Sequence, residues 1–323
     1  MSEAITRALP FLQCVHCSGE LALDQSKPDE MLRCVGCDKH YAIKDGIPIL
    51  LKNQSTETYY DIPWHPVQSE TGPAHAFKRG LKQAAVTVPG MKVLMQKVLY
   101  GPNKPYLTDK VTERIAGGAV VADIGCRNIP YVNTLEKVKV YLALDIDFTS
   151  LRYIKSLNLA NVVPILASID DMPIKSGVVD SVICLEVIEH VENDGKAFAE
   201  LGRIVSEKGT LLLSTPDGDT VSVDDLPPPR LHLRHYKKAE LSQHLSRHFA
   251  SVELESIVSW FPFWRVADAI EGASQRERNR LKKVPLQMAY YVCNFASNIC
   301  HEVLQRTAYK SQGHNRIVAS AAR

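Results

Sequence analysis

The 323-residue sequence predicts an α/β protein in which a doubly wound, mostly parallel sheet follows a small β-rich metal module. Three observations carry this. Four cysteines fall as two C-x-x-C pairs near the start, apolar runs of strand length alternate with amphipathic helical stretches from Ala119 onward, and the first of those runs ends in the tight turn "DIG". At 45% hydrophobic residues and a net charge of +2, the chain is neither disordered nor broadly basic. Its length allows two domains. The opening "MSEAITRALPFLQC" lacks a basic start and an apolar core, and no stretch has the apolar length of a membrane span. The expectation is a cytoplasmic protein without an integral membrane segment. A reducing compartment favours metal sites over disulfides for its eight cysteines.

The pairs "CVHC" (Cys14, Cys17) and "CVGC" (Cys34, Cys37) are separated by 16 residues, a zinc spacing. Each pair aims two thiolates at one point, so the four close a tetrahedral Zn2+ site with no position left for substrate, and the metal is structural. His16 and His40 are surplus to that set and are expected to face solvent. "DKHYAIKDGIPILL" alternates around Asp45-Gly46 and reads as a hairpin. In this order, "CVHCSGELAL" and "CVGCDKHYAIKDGIPILL" resemble the small zinc-ribbon subunit that activates tRNA, rRNA and release-factor methyltransferases, over residues 8–52. A fused ribbon implies a methyltransferase downstream.

Residues 53–105 read as a linker with covering helices: Pro and Gly punctuate short stretches such as "HAFKRGLKQAAV", whose apolar residues fall at helical spacing. The catalytic domain is expected over 106–323. Its strands are "AVVADI", "VKVYLALD", "NVVPILA", "VVDSVICLE", "GTLLLST", "SVELESIVSW" and the final "HNRIVASAAR", and a ligand belongs beyond their carboxyl ends. Asp145 closes the second strand about twenty residues after the turn, where a carboxylate can accept both hydrogens of a ribose diol. A dinucleotide turn wants three glycines around a pyrophosphate, and only Gly125 is present, with Arg127 at the second position. S-adenosylmethionine has no phosphate and needs one close backbone approach.

"ILASIDDMPIKSGVVDSVICLEVIEHV" is similar to the corresponding segment of class I, Rossmann-like methyltransferases of type 11, among them the quinone-biosynthesis enzymes. The resemblance covers about 105–260 and the final strand. It implies S-adenosylmethionine bound by Asp123, Gly125, Arg127, Asp145, the adenine pair Ser168 and Ile169, and Leu185 and Glu186 at the end of the fourth strand. Ser168 replaces the usual acid, and Asp170 beside it is a substitute. "DIGCRNIPY" matches a variant turn that keeps Pro130 and Tyr131. Arg127 fits that turn if its φ is not positive, or if its cation meets the cofactor's carboxylate.

Methyl transfer is an in-line displacement, so positioning dominates and a base is needed only for an acceptor that loses a proton. His190 in "EVIEHV" and His232 and His235 in "LHLRHY" are the candidate bases. Without a preceding histidine at metal-binding spacing, Glu186 and Glu189 do not read as a zinc-hydrolase site. A helical insertion at about 263–310 suits a lid or a homodimer surface; its second helix carries Gln287, Asn294, Asn298, His301 and Glu302 and is expected to pack. Basic clusters ("RERNRLKK"; Arg230, Arg234, Lys237, Lys238) lack interleaved aromatics for single-stranded RNA. Three readings stay open: O-methylation of a small-molecule or glycan acceptor, RNA or protein methylation with the ribbon as built-in activator, and a non-catalytic methyltransferase-like binding protein.

Overall fold

The computed structural model describes residues 3–24, 30–52, 103–115, 117–127, 135, 137–220, 222–225, 232–259 and 314–323, with scattered helical positions between 270 and 296. Most of the 53–105 linker, Pro130 and Tyr131, and all but those scattered positions of the 263–310 insertion lie outside the described residues. The chain divides into a unit of Met1–Trp64, Val111–Ser256 and Arg316–Arg323 and a second of His65–Lys110 and Ile257–Asn315.

Within the first unit, a helix (Glu3–Ala8) precedes a four-stranded sheet of β1 (Leu21–Asp24), β2 (Met31–Cys34), β3 (His40–Lys44) and β4 (Ile47–Pro48), in that spatial order. Its paired strands are antiparallel throughout. Asp45 (φ 52°) and Gly46 (φ 72°) both take left-handed backbone between β3 and β4, as a two-residue hairpin turn requires. His40, expected to face solvent, is part-buried, and its Nε2 lies 3.1 Å from an Asp24 carboxylate oxygen.

The large sheet runs β10-β11-β9-β8-β5-β6-β7, with β5 at Val120–Ile124, β6 at Val140–Asp145, β7 at Val162–Leu166, β8 at Val179–Leu185, β9 at Val205–Pro216, β10 at Ser251–Ser259 and β11 at His314–Ala322. Each of the seven strand-like runs forms one of these strands. β5 to β9 are parallel where paired, and β11 returns antiparallel to β9. Every residue of β5 and of β7 is buried, the signature of a sheet covered on both faces. Helix Phe148–Ser156 starts where Asp147 accepts from the Thr149 and Ser150 N–H groups, and helix Asp194–Ile204 where Asn193 accepts from Lys196.

The order reverses at β5, whose neighbours are β6 on one side and β8 on the other, so the crevice opens beyond Ile124, Asp145 and Leu185. β7 would be a bare edge. Instead the ribbon continues the ladder: Ile49 bridges Leu166 in parallel and Leu50 N–H donates to the Leu166 carbonyl at 2.9 Å. Gln13 N–H donates to Pro173 and Lys175 N–H to Phe11, and Leu12, Leu32, Tyr41 and Leu50 join the same buried cluster as Ile165 and Ile174.

Candidate active site

Gly125 leaves β5 with φ 69° and its N–H on the Leu144 carbonyl. A Cβ there would stand 2.4 Å from Val187 Cγ2, so the turn needs glycine for both conformation and space. Behind it, Asp123 is buried and accepts from the Tyr141 hydroxyl at 2.6 Å. Arg127 departs from the expectation set for it: its φ is 36°, a left-handed value. The loop keeps the glycine geometry although the glycine is gone, at a cost of about 1–2 kcal/mol. Two hydrogen bonds at Asp145 compensate. Arg127 N–H donates to Asp145 Oδ2 at 2.9 Å, and Asp147 N–H holds Oδ1 at the same distance. The Asp145 carboxylate is thereby fixed at the end of β6, and burial raises its pKa from its ordinary value.

Beyond β7, Ser168 turns its hydroxyl to Asp170, and Ile169 is buried in the same short helical turn, Ile169–Asp171. Ser168 and Asp170 therefore act as one polar pair. Beyond β8, Leu185 is half-buried and Glu186 takes a left-handed φ of 59°. Its two oxygens accept from Ser214 Oγ at 2.7 Å and from Arg316 Nε at 2.6 Å, so the final strand supplies a guanidinium to the crevice. Arg316 and Ser214 were invisible as site residues in the sequence.

The histidines are brought together by backbone. The short helix Ile188–His190 follows β8, and the segment after β9 is stitched onto it: Leu233 N–H donates to the Glu189 carbonyl at 2.9 Å, and Arg234 donates to the Val191 and Glu192 carbonyls. Tyr236, wholly buried, donates to Asp194 at 2.7 Å. As a result the His190 and His232 rings meet edge to face at 4.7 Å between centroids, and His232 Nδ1 lies 2.7 Å from His235 Nε2. Burial first, then the charges of His190 and His235, push the His232 pKa down to about 4. Glu189, wholly buried beneath them, is pushed well up, by burial and then by Glu186.

In the ribbon, the Cys14, Cys17, Cys34 and Cys37 sulfurs lie within 4.8 Å of one another, with Cys14 to Cys37 at 3.6 Å and Cys17 to Cys34 at 3.4 Å. A tetrahedral four-thiolate site with bonds of about 2.3 Å has edges of about 3.8 Å, so the cluster fits one Zn2+. Burial raises the Cys14 thiol, but hydrogen bonds from Tyr41 and the His16 and Cys17 backbone outweigh it and hold it at about 6. Gly19 packs with its Cα against this cluster; a Cβ would meet Cys34 Sγ at 3.0 Å.

Comparison with known proteins gives a consistent picture. Residues 122–213 match the family described as "Methyltransferase domain". A probable S-adenosylmethionine-dependent methyltransferase of Mycobacterium tuberculosis, present in two strains, is 30% identical over 102 residues, which is 31% of this chain and 37% of the relative. The chain thus spans little more than a third of the relatives it matches. Among solved structures, Haemonchus contortus phosphoethanolamine N-methyltransferase 2 with S-adenosylhomocysteine is similar at 15% identity, over 68% of this chain and 52% of that one, with a TM-score of 0.46. A Mesorhizobium loti S-adenosylmethionine-dependent methyltransferase is similar at 15% identity, over 70% of this chain and 100% of that one, with a TM-score of 0.45. What the chain shares with these proteins is the match of residues 122–213 to a methyltransferase domain.

Proposed function

We propose that the protein is an S-adenosylmethionine-dependent methyltransferase acting on a hydroxyl of a small molecule or glycan, with a zinc ion held by Cys14, Cys17, Cys34 and Cys37. The observation that carries it is the pairing of one close-approach turn, Gly125, with a fixed carboxylate, Asp145, beside it, within the family-matched segment. That pair suits a cofactor with a ribose diol and no phosphate at the turn. When bound, the cofactor supplies an electrophilic methyl on a sulfonium.

Asp145 accepts the ribose hydroxyls, Ile169 covers the adenine and the Ser168–Asp170 pair meets its amino edge. Leu185 and Glu186 border the reaction centre at the end of β8, with Glu186 neutralised by Arg316. An acceptor hydroxyl must lose a proton as the methyl arrives, and the His190–His232–His235 group stands at that strand end. His232, held near 4, is neutral at pH 7. It positions its neighbours, and His190 or His235 takes the proton.

Calorimetry with S-adenosylhomocysteine tests the cofactor. The wild type binds, and Asp145→Ala weakens binding tenfold or more, by about 1.4 kcal/mol; a flat wild-type titration would favour the non-catalytic reading, to which the strained Arg127 lends weight. Labelled cofactor offered to cell extract split into RNA, protein and small-molecule fractions tests the acceptor. Label in RNA or protein replaces the hydroxyl acceptor with the reading in which the ribbon is a built-in activator.

A further inference from the structure

Beneath the histidines lies a group that the proposed chemistry leaves without a task. Glu189 is wholly buried, yet among the described residues only Oε2 has a hydrogen-bond partner, Thr215 Oγ1 at 3.2 Å, and Oε1 has none. A buried carboxylate oxygen left unpaired is costly, and its near neighbour Glu186 adds a like charge. The Arg316 side chain sends its Nε to Glu186 instead. One oxygen of Glu189 and one ring nitrogen each of His190 and His232 lie within 4.8 Å of one another.

The geometry points to a second metal site, formed by Glu189, His190 and His232, that takes a borderline divalent cation such as Mn2+ or Zn2+. Its donor set is two imidazoles and one carboxylate, three protein ligands that leave coordination positions open, as in catalytic and not structural sites. His232 Nδ1 is already engaged by His235 Nε2, so Nε2 is the nitrogen presented to the cation. A partner on the second nitrogen is the usual support of a metal-ligating histidine. The arrangement is also built in, because the Leu233 and Arg234 hydrogen bonds hold the later histidine against the turn that carries the other two ligands. The missing histidine that argued against a metal at "EVIEHV" is supplied from 42 residues further along the chain.

Resting on the methyltransferase reading, a cation with open positions at β8's end favours an acceptor with two neighbouring oxygens able to chelate. The cation would then favour ionisation of one hydroxyl, and with His190 engaged as a ligand the proton passes to His235.

The test uses the full chain loaded with one equivalent of Zn2+ for its cysteine cluster and freed of excess zinc, titrated with Mn2+ while free Mn2+ is followed by electron paramagnetic resonance. The wild type binds one Mn2+ per chain, and Glu189→Gln and His232→Ala each weaken it about tenfold or more. His244→Gln, outside the cluster, leaves it unchanged. No stoichiometric Mn2+, or equal affinity in both cluster variants, overturns the site. If Glu189→Gln loses its circular dichroism spectrum, His232→Ala decides alone, since that half-buried residue lies outside the strands. S-adenosylhomocysteine titrated into the same samples separates the two claims. Binding of it without Mn2+ removes the metal site and keeps the methyltransferase reading, whereas Mn2+ binding with a flat nucleoside titration keeps the metal site and removes the chelating acceptor.

Discussion

The ribbon and the large sheet reach a folded state by different means. The sheet buries β5 and β7 completely and packs Leu201, Phe198 and Ile204 from one helix against it. The ribbon has four short strands, its buried Leu12, Leu32, Tyr41 and Leu50 share their cluster with the large sheet, and its turns converge on four sulfurs within 4.8 Å. A module of that size lacks the area for an independent core, and the proposed zinc ion would close it. The difference teaches where each region is fragile. One is sensitive to chelation and the other to cavities.

The largest effect should come from attacking the cysteine cluster. Chelator, or Cys34→Ser, is expected to unfold residues 8–52, since structural zinc supplies on the order of 10 kcal/mol of apparent binding energy to such modules. Metal analysis with limited proteolysis checks it, and an intact ribbon in metal-free protein would erase the contrast. Next, Leu201→Ala, at a fully buried position, should cost about 2–5 kcal/mol in urea unfolding of the sheet while leaving zinc content at one per chain.

Gly125→Ala sharpens the comparison inside the sheet region, because Gly125 buries no side chain of its own yet tolerates no Cβ. The clash with Val187 and the positive φ predict a loss of about 1–3 kcal/mol and of nucleoside binding by calorimetry. Adding Val187→Ala should restore part of the stability but not all, as the φ of 69° remains. The smallest effect is expected at Arg127→Gly. Relief of left-handed strain is offset by greater freedom of the unfolded chain, so thermal unfolding should move by less than about 1 kcal/mol, in the stabilising direction.

The strands of the large sheet and the cysteine pairs were legible because their signals are local: apolar runs between turn residues, and thiols at a fixed spacing. Asp145 was legible for the same reason. What the sequence did not disclose depends on chain segments far apart. Arg316 reaches Glu186 across 130 residues, and Leu233 docks on Glu189 through a backbone N–H that any residue could donate. No residue type announces such a bond. His232 and His235 stood out as histidines, but their contact with His190 and Glu189 needed the fold. The left-handed Arg127 was misjudged because glycine's absence argued against the φ that the surrounding loop nonetheless imposes. His40 was missed as a partner of Asp24 because cross-strand neighbours follow from register, which spacing alone leaves open.

The bond from Leu50 to Leu166 bears on how the protein can be dissected. A shortened version beginning near residue 105 would retain all the strands of the large sheet yet uncover one side of Val162–Leu166, five buried residues in a row. Such an exposed, apolar strand edge is a template for pairing with another chain. Insolubility of that fragment would reflect self-association through the bared edge, and would leave untouched the question of whether its catalytic crevice is correctly formed.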